Sequence, residues 1–203
     1  MPNVFESTEN VDTMLRSKRV LVVGNGPSAR SVKIPEIMGY YDLVVRFNCW
    51  KKDSHTSGER CDVWVTNMSP HDTENHLPKA AAEGYKASLF LICAGLGVPS
   101  SERACHFRDI IKTGFGDVPV GKVPPSFAKT LSKRVGIKVT TGLTAIHYLL
   151  SLGCEVTICG FDILAGRQCA PRHYWGGRSN IHKSHSPATV SYTHLTLPTK
   201  RIV

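Results

Sequence analysis

The sequence predicts an α/β fold, Rossmann-like, with a mostly parallel sheet flanked by helices. Three observations carry this. Short, apolar, β-branched runs alternate with segments of helical period, the pattern of parallel strands joined by helical crossovers. Most of those runs end at glycine or a polar residue, as buried strands do. The first run, 19–23 (RVLVV), passes straight into Gly24-Asn25-Gly26-Pro27-Ser28-Ala29, which matches the G-x-G-x-x-A phosphate-binding turn between a strand and a helix.

Taken in order, RVLVV is a buried strand stopped by Gly24. Residues 27–38 (PSARSVKIPEIM) should start a helix, with Pro27 in its first turn and Ser28 able to cap it. Pro35 limits how far that helix can run. Residues 42–48 (DLVVRFN) read as a second strand, 51–61 (KKDSHTSGERC) as a polar loop, and 62–67 (DVWVTN) as a third strand. Residues 69–85 read as loop and then helix, and 88–95 (SLFLICAG) as a fourth strand. From Gly95 to Lys138 the density of Gly and Pro predicts an irregular insertion with one helix, the kind of long connection that often carries binding. In 140–153 (TTGLTAIHYLLSLG) Leu143, Ile146, Leu149 and Leu150 recur at helical spacing, with Thr140 or Thr141 at the start and Gly153 at the end. Residues 155–161 (EVTICGF) are a last short strand. There is no internal repeat and no low-complexity segment.

A length of 203 residues with 41% hydrophobic content suits one domain with a real core. The formal net charge of +9 suits anionic partners such as nucleotides, acidic glycans, nucleic acid or a membrane surface, and equally a basic soluble protein. Nucleic acid is disfavoured, because the cations are dispersed and no nucleic-acid motif is present. The seven cysteines include no C-x-x-C pair, which argues against a zinc knuckle or thioredoxin-type site and for reduced thiols. Cys93 and Cys159 sit in apolar runs and read as small hydrophobes. The N-terminus has no apolar signal region and no stretch near the ~20 residues that span a bilayer. The expectation is a cytoplasmic protein, with a peripheral contact at the membrane face left open; an anchor upstream in a longer protein would place it in the Golgi instead. Nothing in the sequence speaks to oligomeric state.

The closing stretch VSYTHLTLPT resembles the translation of a transposase-type sequencing adapter. Residues 190–203 are therefore read as a non-native, adapter-derived tail on a C-terminally truncated single domain, 1–189. Setting aside Lys200 and Arg201 leaves a charge of +7.

The glycine turn does not name its ligand. Backbone N–H groups at a helix start favour any phosphate. A dinucleotide enzyme wants Asp or Glu about 20 residues on, for the ribose hydroxyl. Arg46 and Asn48 stand there instead, and Asp42 lies at the wrong end of its strand. Arg46 could suit a 2′-phosphate, so an NAD(P)-dependent oxidoreductase stays open, as does a non-catalytic nucleotide-binding module.

Read together, VVGNGPSA…DLVVRFN, VTTGLTAIHYLLSLGCEVTICGFD, then His173-Tyr174-Trp175 and a further His resemble the four ordered motifs of the sialyltransferase family, the eukaryotic-type CMP-sialic acid glycosyltransferases and their bacterial relatives. Four motifs in order across residues 20 to 185 cover most of 1–189. The resemblance implies a variant GT-A-like glycosyltransferase fold. It implies a metal-independent enzyme without a cofactor, the CMP-sugar being a substrate. The reaction would move sialic acid, or a related ulosonic acid such as Kdo, to a hydroxyl of a glycan or glycolipid with inversion.

By the same resemblance Gly24, Asn25, Ser28, Asn48, Thr141, Gly142, Gly160 and Tyr174 would bind the CMP-sugar. An Asn amide offers both donor and acceptor to a pyrimidine, ribose or phosphate. Thr141 and Gly142 would present helix-start N–H groups, and Gly160 would let the backbone lie close to the nucleotide. From the residues alone, Asn25 is equally a turn residue tolerating positive φ, Asn48 a strand end, and Thr141 part of an ordinary helix cap. His173 would offset charge as CMP leaves, and His185 would be the general base for the acceptor hydroxyl. The family's last motif is His, four residues, Glu. From His185 the Glu position is 190, the first residue of the adapter-like tail; from His182 it is Pro187, which cannot serve. Animal members carry a disulfide between the first two motifs. Arg19 and Gly153 occupy the matching positions, with Cys154 one residue later, so that bridge is expected to be absent.

Overall fold

The computed structural model describes residues 5–93, 100–136, 139–161 and 201–202. Six strands form one parallel sheet: β1 (Arg19–Val23), β2 (Leu43–Phe47), β3 (Val63–Thr66), β4 (Leu89–Ile92), β5 (Val120–Lys122) and β6 (Glu155–Cys159). A two-residue strand, β7 (Arg201–Ile202), pairs in parallel outside β6. The spatial order is β5-β4-β3-β2-β1-β6-β7. The chain therefore lays down one half of the sheet outward from β1 and then returns to β1's other side with β6, in register from Arg19↔Glu155 to Val23↔Cys159. That reversal beside β1 is the switch point of a doubly wound sheet, where crevices open at the strands' C-terminal ends.

Both faces of the sheet are buried, which is why the strands read as continuous apolar runs. On one face Val20, Val22, Val45, Val63, Val65, Leu89, Leu91, Val156 and Ile158 pack on α1 (Thr8–Leu15) and α6 (Thr141–Ser151). On the other, Trp64, Phe90 and Ile92 meet Leu77 and Ala80 of α3 (Leu77–Ala82) and Phe107 and Ile111 of α4 (Ser101–Phe115). Leu21, Val23 and Val44 continue that second face against Ala29 and Ile34, the latter in α2 (Ile34–Ile37). Alternation by one residue along each strand delivers these two sets.

Three elements depart from the sequence reading. The Gly95–Lys138 region is not irregular with one helix: among its described residues it holds α4, the edge strand β5 and α5 (Pro125–Val135). Several of its glycines and prolines sit at boundaries, although Gly114 lies within α4 and Gly121 at the centre of β5. Gly116 leaves α4 with φ +81°, Pro125 opens α5, and Gly136 closes it in the left-handed region at φ +72°. The helix expected from Pro27 is shorter than predicted, a 3₁₀ turn at Pro27–Arg30 followed by the four-residue α2. The N-terminal α1 has a legible signal that the sequence reading passed over. Ser7 caps it by accepting from Asn10 N at 3.1 Å, Glu9 favours the first turn, and Val11 and Leu15 bury one turn apart.

Two further readings meet the structure at the cysteines and at Asp42. The six cysteines among the described residues are all free thiols. Cys154 is buried and donates to Leu15 O at 3.0 Å, so it anchors α1. Asp42 lies at the N-terminal rim and pairs with Arg19, accepting from Nη2 at 3.0 Å and from the backbone N at 2.8 Å. Those hydrogen bonds hold its carboxyl down at about 2.

Candidate active site at the sheet switch point

The ends of β1 and β6 define the site. Gly24 N donates to Cys159 O at 2.8 Å, and Gly26 N donates to Gly160 O at 2.7 Å, so the two exits run side by side past the last ladder residues. This approach needs glycine on both sides. A Cβ on Gly24 would overlap the Gly160 carbonyl oxygen, and a Cβ on Gly160 would stand 2.5 Å from the Gly24 oxygen. Gly160 also takes φ +71°. The two glycines the sequence reading assigned to ligand approach thus first permit each other's approach.

Phe161 follows and joins three segments. Its ring meets Phe47 edge-on, with centroids 5.7 Å apart. A Cβ on Gly24 would come within 2.8 Å of Phe161 Cδ2, and one on Gly142 within 2.8 Å of Cε1. The glycine turn after β1 and the start of α6, separated by more than a hundred residues, are therefore neighbours across a single aromatic ring. Sequence reasoning did not count Phe161 among the site residues, although Gly160-Phe161 stands in the motif that carries the resemblance.

The start of α6 is well formed. Thr140 is the N-cap, in extended backbone, and its hydroxyl accepts from Leu143 N at 3.3 Å. Thr141 and Gly142 occupy the first turn, whose N–H groups an α-helix leaves without internal partners. Cys93 Sγ donates to Thr141 O at 3.5 Å, tying the end of β4 to this turn.

The two asparagines differ. Asn25 does not take positive φ, against the turn reading; Asn48 does, at +43°. Asn25 Nδ2 donates to Phe47 O at 3.0 Å, bridging the ends of β1 and β2. Its Oδ1 is buried and has no hydrogen-bond partner among the described residues. Asn48 Oδ1 accepts from Asn67 N at 3.1 Å, while its carbonyl accepts from Trp64 Nε1 and Trp50 N, each at 2.9 Å. With its oxygen engaged, Asn48 has its Nδ2 hydrogens to offer. The site thus holds one unmet acceptor and one donor group a strand apart, beside a helix start.

Ser28 is not a cap. Gly26 is the N-cap of the 3₁₀ turn, without a side-chain bond, and Ser28 lies inside it, its carbonyl accepting from Ser31 N at 3.0 Å. His173, Tyr174 and His185, with His182, lie outside the described residues.

Below Asn48 sits a network that no spacing announced. Asp72 is fully buried and accepts from the Thr66 hydroxyl; Cys49 Sγ donates to Asp72 Oδ1 at 3.5 Å and lies 3.3 Å from His71 Nδ1. Burial pushes the Asp72 carboxyl up, and burial with the Asp72 charge pushes the Cys49 thiol up to about 12. A protonated thiol on a buried carboxyl is a clamp, fixing the Asn48 turn to the π-helical turn His71–His76 after β3.

Arg46 corrects another expectation. It is 0% exposed, its Nε donates to Arg60 O at 3.2 Å, its Nη2 donates to Ser57 O, and it stacks 5.0 Å over Trp50. It faces away from the cleft, into the 51–60 loop, so it cannot receive the 2′-phosphate of a nicotinamide cofactor.

No protein-family model matches the chain, and no curated protein matches it. Solved structures do. One is the sialyltransferase CstII from Campylobacter jejuni in complex with CMP-3FNeuAc, at 18% identity and TM-score 0.51, covering 80% of this chain and 65% of that one. The monofunctional α-2,3-sialyltransferase Cst-I from the same organism matches at 14% identity and TM-score 0.56, over 96% of this chain and 74% of that one. A mammalian sialyltransferase in complex with Gal-beta-1-3GalNAc-ortho-nitrophenol matches at 16% identity and TM-score 0.58, over 95% and 71%. The chain thus spans from about two thirds to three quarters of the length of these structures. With its parallel sheet, its switch point beside β1 and its helix-start cleft, the chain has the Rossmann-like, GT-A-like fold of the bacterial and mammalian sialyltransferases.

Proposed function

We propose that this chain is a glycosyltransferase of sialyltransferase type, which takes sialic acid or a related ulosonic acid such as Kdo from a CMP-sugar. The acceptor is a hydroxyl of a glycan or glycolipid, and the transfer proceeds with inversion and without a metal. The observation that carries this is the meeting of the Gly24 turn and the first turn of α6 around Phe161, which also packs on Phe47, the residue whose carbonyl Asn25 bonds and which Asn48 follows. It is supported by the fold likeness to CstII, whose structures hold CMP and CMP-3FNeuAc, and to CST-II with a trisaccharide acceptor and CMP.

On this reading the cytidylate lies across the C-terminal ends of β1 and β6. Asn25 Oδ1 accepts a hydrogen bond from the nucleoside, which removes a buried unmet acceptor worth roughly 1–3 kcal/mol. Asn48 Nδ2 donates to it. The Thr141 and Gly142 N–H groups face the phosphate, where the helix dipole adds to their attraction. His173 contacts the donor phosphate, and Tyr174 also binds the donor. As the glycosidic C–O bond to CMP breaks, negative charge grows on the phosphate, and His173 with the helix start stabilises it. His185 removes the acceptor hydroxyl's proton as that oxygen attacks the anomeric carbon.

A nucleotide panel tests the donor assignment by thermal shift. CMP and CDP should raise the melting temperature while NAD and NADP do not. Stabilisation by NAD or NADP without stabilisation by CMP would reject it. The His185 assignment has its own check: Val190→Glu should raise turnover, and His185→Ala in that background should abolish it while leaving the CMP shift.

A further inference from the structure

Among the described residues three that are not glycine hold positive φ, and two of these stand at the crevice end of the sheet. Asn48, at φ +43°, directly follows β2, and Met68, at φ +55°, lies two residues after β3. The third, Ser17, precedes β1 at the opposite end. Backbone of this kind persists only where its surroundings over-determine it. A single hydrogen bond joins the two turns, from Asn67 N to Asn48 Oδ1 at 3.1 Å.

The buried Met68 is tied on both sides. Its N donates to Thr66 Oγ1 at 2.9 Å, and its carbonyl accepts from Arg103 Nη2 in the first turn of α4. Because the Thr66 oxygen accepts from Met68 N, the one hydroxyl hydrogen goes to the other partner, Asp72 Oδ2. Asp72 is fully buried, and among the described residues no Lys or Arg forms an ion pair with it. A buried carboxyl without a cation is a poor source of stability. What it does is grip. One oxygen holds Thr66, the residue before Asn67; the other holds the Cys49 thiol, one residue after Asn48, at 3.5 Å. The two segments that meet at the Asn48 amide are thus fastened to the two oxygens of one carboxyl.

We propose that Thr66 and Asp72 are positioning residues for the donor site: the Thr66 hydroxyl, held on Asp72, pins the Asn67–Met68 turn so that Asn67 N engages Asn48 Oδ1 and leaves the Asn48 Nδ2 hydrogens to the ligand. That Asn48 meets a CMP-sugar rests on the glycosyltransferase reading of the cleft. Without the hydroxyl, Met68 relaxes out of positive φ, Asn67 N leaves the Asn48 oxygen, and the amide can turn either its oxygen or its nitrogen outward.

Two measurements on the full chain test this, one of them without nucleotide. NMR relaxation of the Asn48 side-chain amide, assigned by its absence in Asn48→Ala, reads whether that group is held. In the wild type its order parameter should approach the roughly 0.85 of rigid backbone. Thr66→Val, which keeps the side chain's shape and removes the hydroxyl, should lower it below about 0.6, and Thr66→Ser should retain the wild-type value. Titration with CMP is the second readout. Thr66→Val should weaken binding by about three- to tenfold, the worth of one neutral hydrogen bond. In the Asn48→Ala background it should weaken binding no further, because the effect travels through that amide. A purely structural threonine would lower stability and leave the amide and the CMP affinity of the folded protein unchanged. A mobile Asn48 amide in the wild type overturns the proposal without any variant. So does a Thr66→Val protein that keeps the amide rigid, or one whose CMP loss is as large with Asn48→Ala as without it. A wild type with a rigid amide and no response to CMP strikes the donor reading instead, and the loosening of the amide in Thr66→Val still decides the positioning.

Discussion

Replacing Gly160 by alanine puts the architecture of the cleft to a quantitative test. The residue sits at φ +71°, where an L side chain costs about 1–2 kcal/mol. Its new Cβ would stand 2.5 Å from the Gly24 oxygen and 3.0 Å from the Ala29 Cβ. The first of these neighbours is backbone, held by the 2.8 Å and 2.7 Å hydrogen bonds of Gly24 and Gly26, so it cannot swing aside as a flexible side chain would. Overpacking of this kind costs roughly another 1–3 kcal/mol. The sum centres on about 3.5 kcal/mol, and at about 2–4 °C per kcal/mol for a chain of this size the melting temperature should fall by about 7–14 °C. Gly39→Ala is the matched control, because a Cβ there meets nothing within 4 Å. It should be neutral or slightly stabilising, by up to about 1 kcal/mol. Thermal and urea unfolding read the stability, and the CMP shift reads the cleft. A Gly160→Ala protein that melts with the Gly39→Ala control and keeps its CMP response would refute the claim that the two glycines are in contact.

Three further outcomes are expected. Thr140→Ala removes the α6 cap and should cost about 1 kcal/mol by urea unfolding, while Thr140→Ser keeps most of it; equal losses in the two would show that the hydroxyl is not capping. Gly142→Ala and Phe161→Leu should be strongly non-additive in a double-mutant cycle, since the smaller side chain makes room for the new methyl, whereas simple additivity would separate the α6 start from Phe161. Burial, with the charges of His71 and Lys51, pushes His76 down to about 4 from its usual 6.5. The unfolded chain takes up that proton first, so this contribution is complete above pH 6.5 and is lost as the pH falls toward 4, by about 1–2 kcal/mol once solvent screening of the half-buried ring is allowed for. Asp72, raised by burial, works in the opposite sense. The measure is therefore a difference: His76→Phe should lose less stability than the wild type between pH 6.5 and 4, and coincident slopes would count against a buried neutral imidazole.

Much of the sheet could be read from the chain because parallel strands covered on both faces leave a simple signature. Val20–Val23, Val44–Phe47 and Leu89–Ile92 are apolar with few interruptions, and each ends where the crevice begins. The α6 helix was legible for a related reason, a threonine cap followed by leucines at helical period. The 95–138 region was not, because its glycines and prolines report only that the backbone turns, not whether they stand inside an element or at its edge. In the cleft, the glycine turn, the asparagines and the helix start were found by motif. Their mutual contacts were not, because Phe161 joins residues remote in sequence and an aromatic after a strand carries no period. Arg46 misled for the opposite reason. A charged residue at a strand's end looks like a ligand contact until the 51–60 loop is seen to fold over it and bond its guanidinium.

The placement of β6 has a consequence for how the protein is made. A ribosome delivers β1 early, yet the strand that covers its open flank leaves the exit tunnel more than a hundred residues later. Until then the nascent chain carries five strands with Val20, Leu21 and Val22 on an unsatisfied margin, the sort of border that recruits another polypeptide. Arrested chains whose emerged part stops just before residue 155 should therefore bind holdase chaperones tightly, and chains arrested far enough on for Cys159 to have left the tunnel should not.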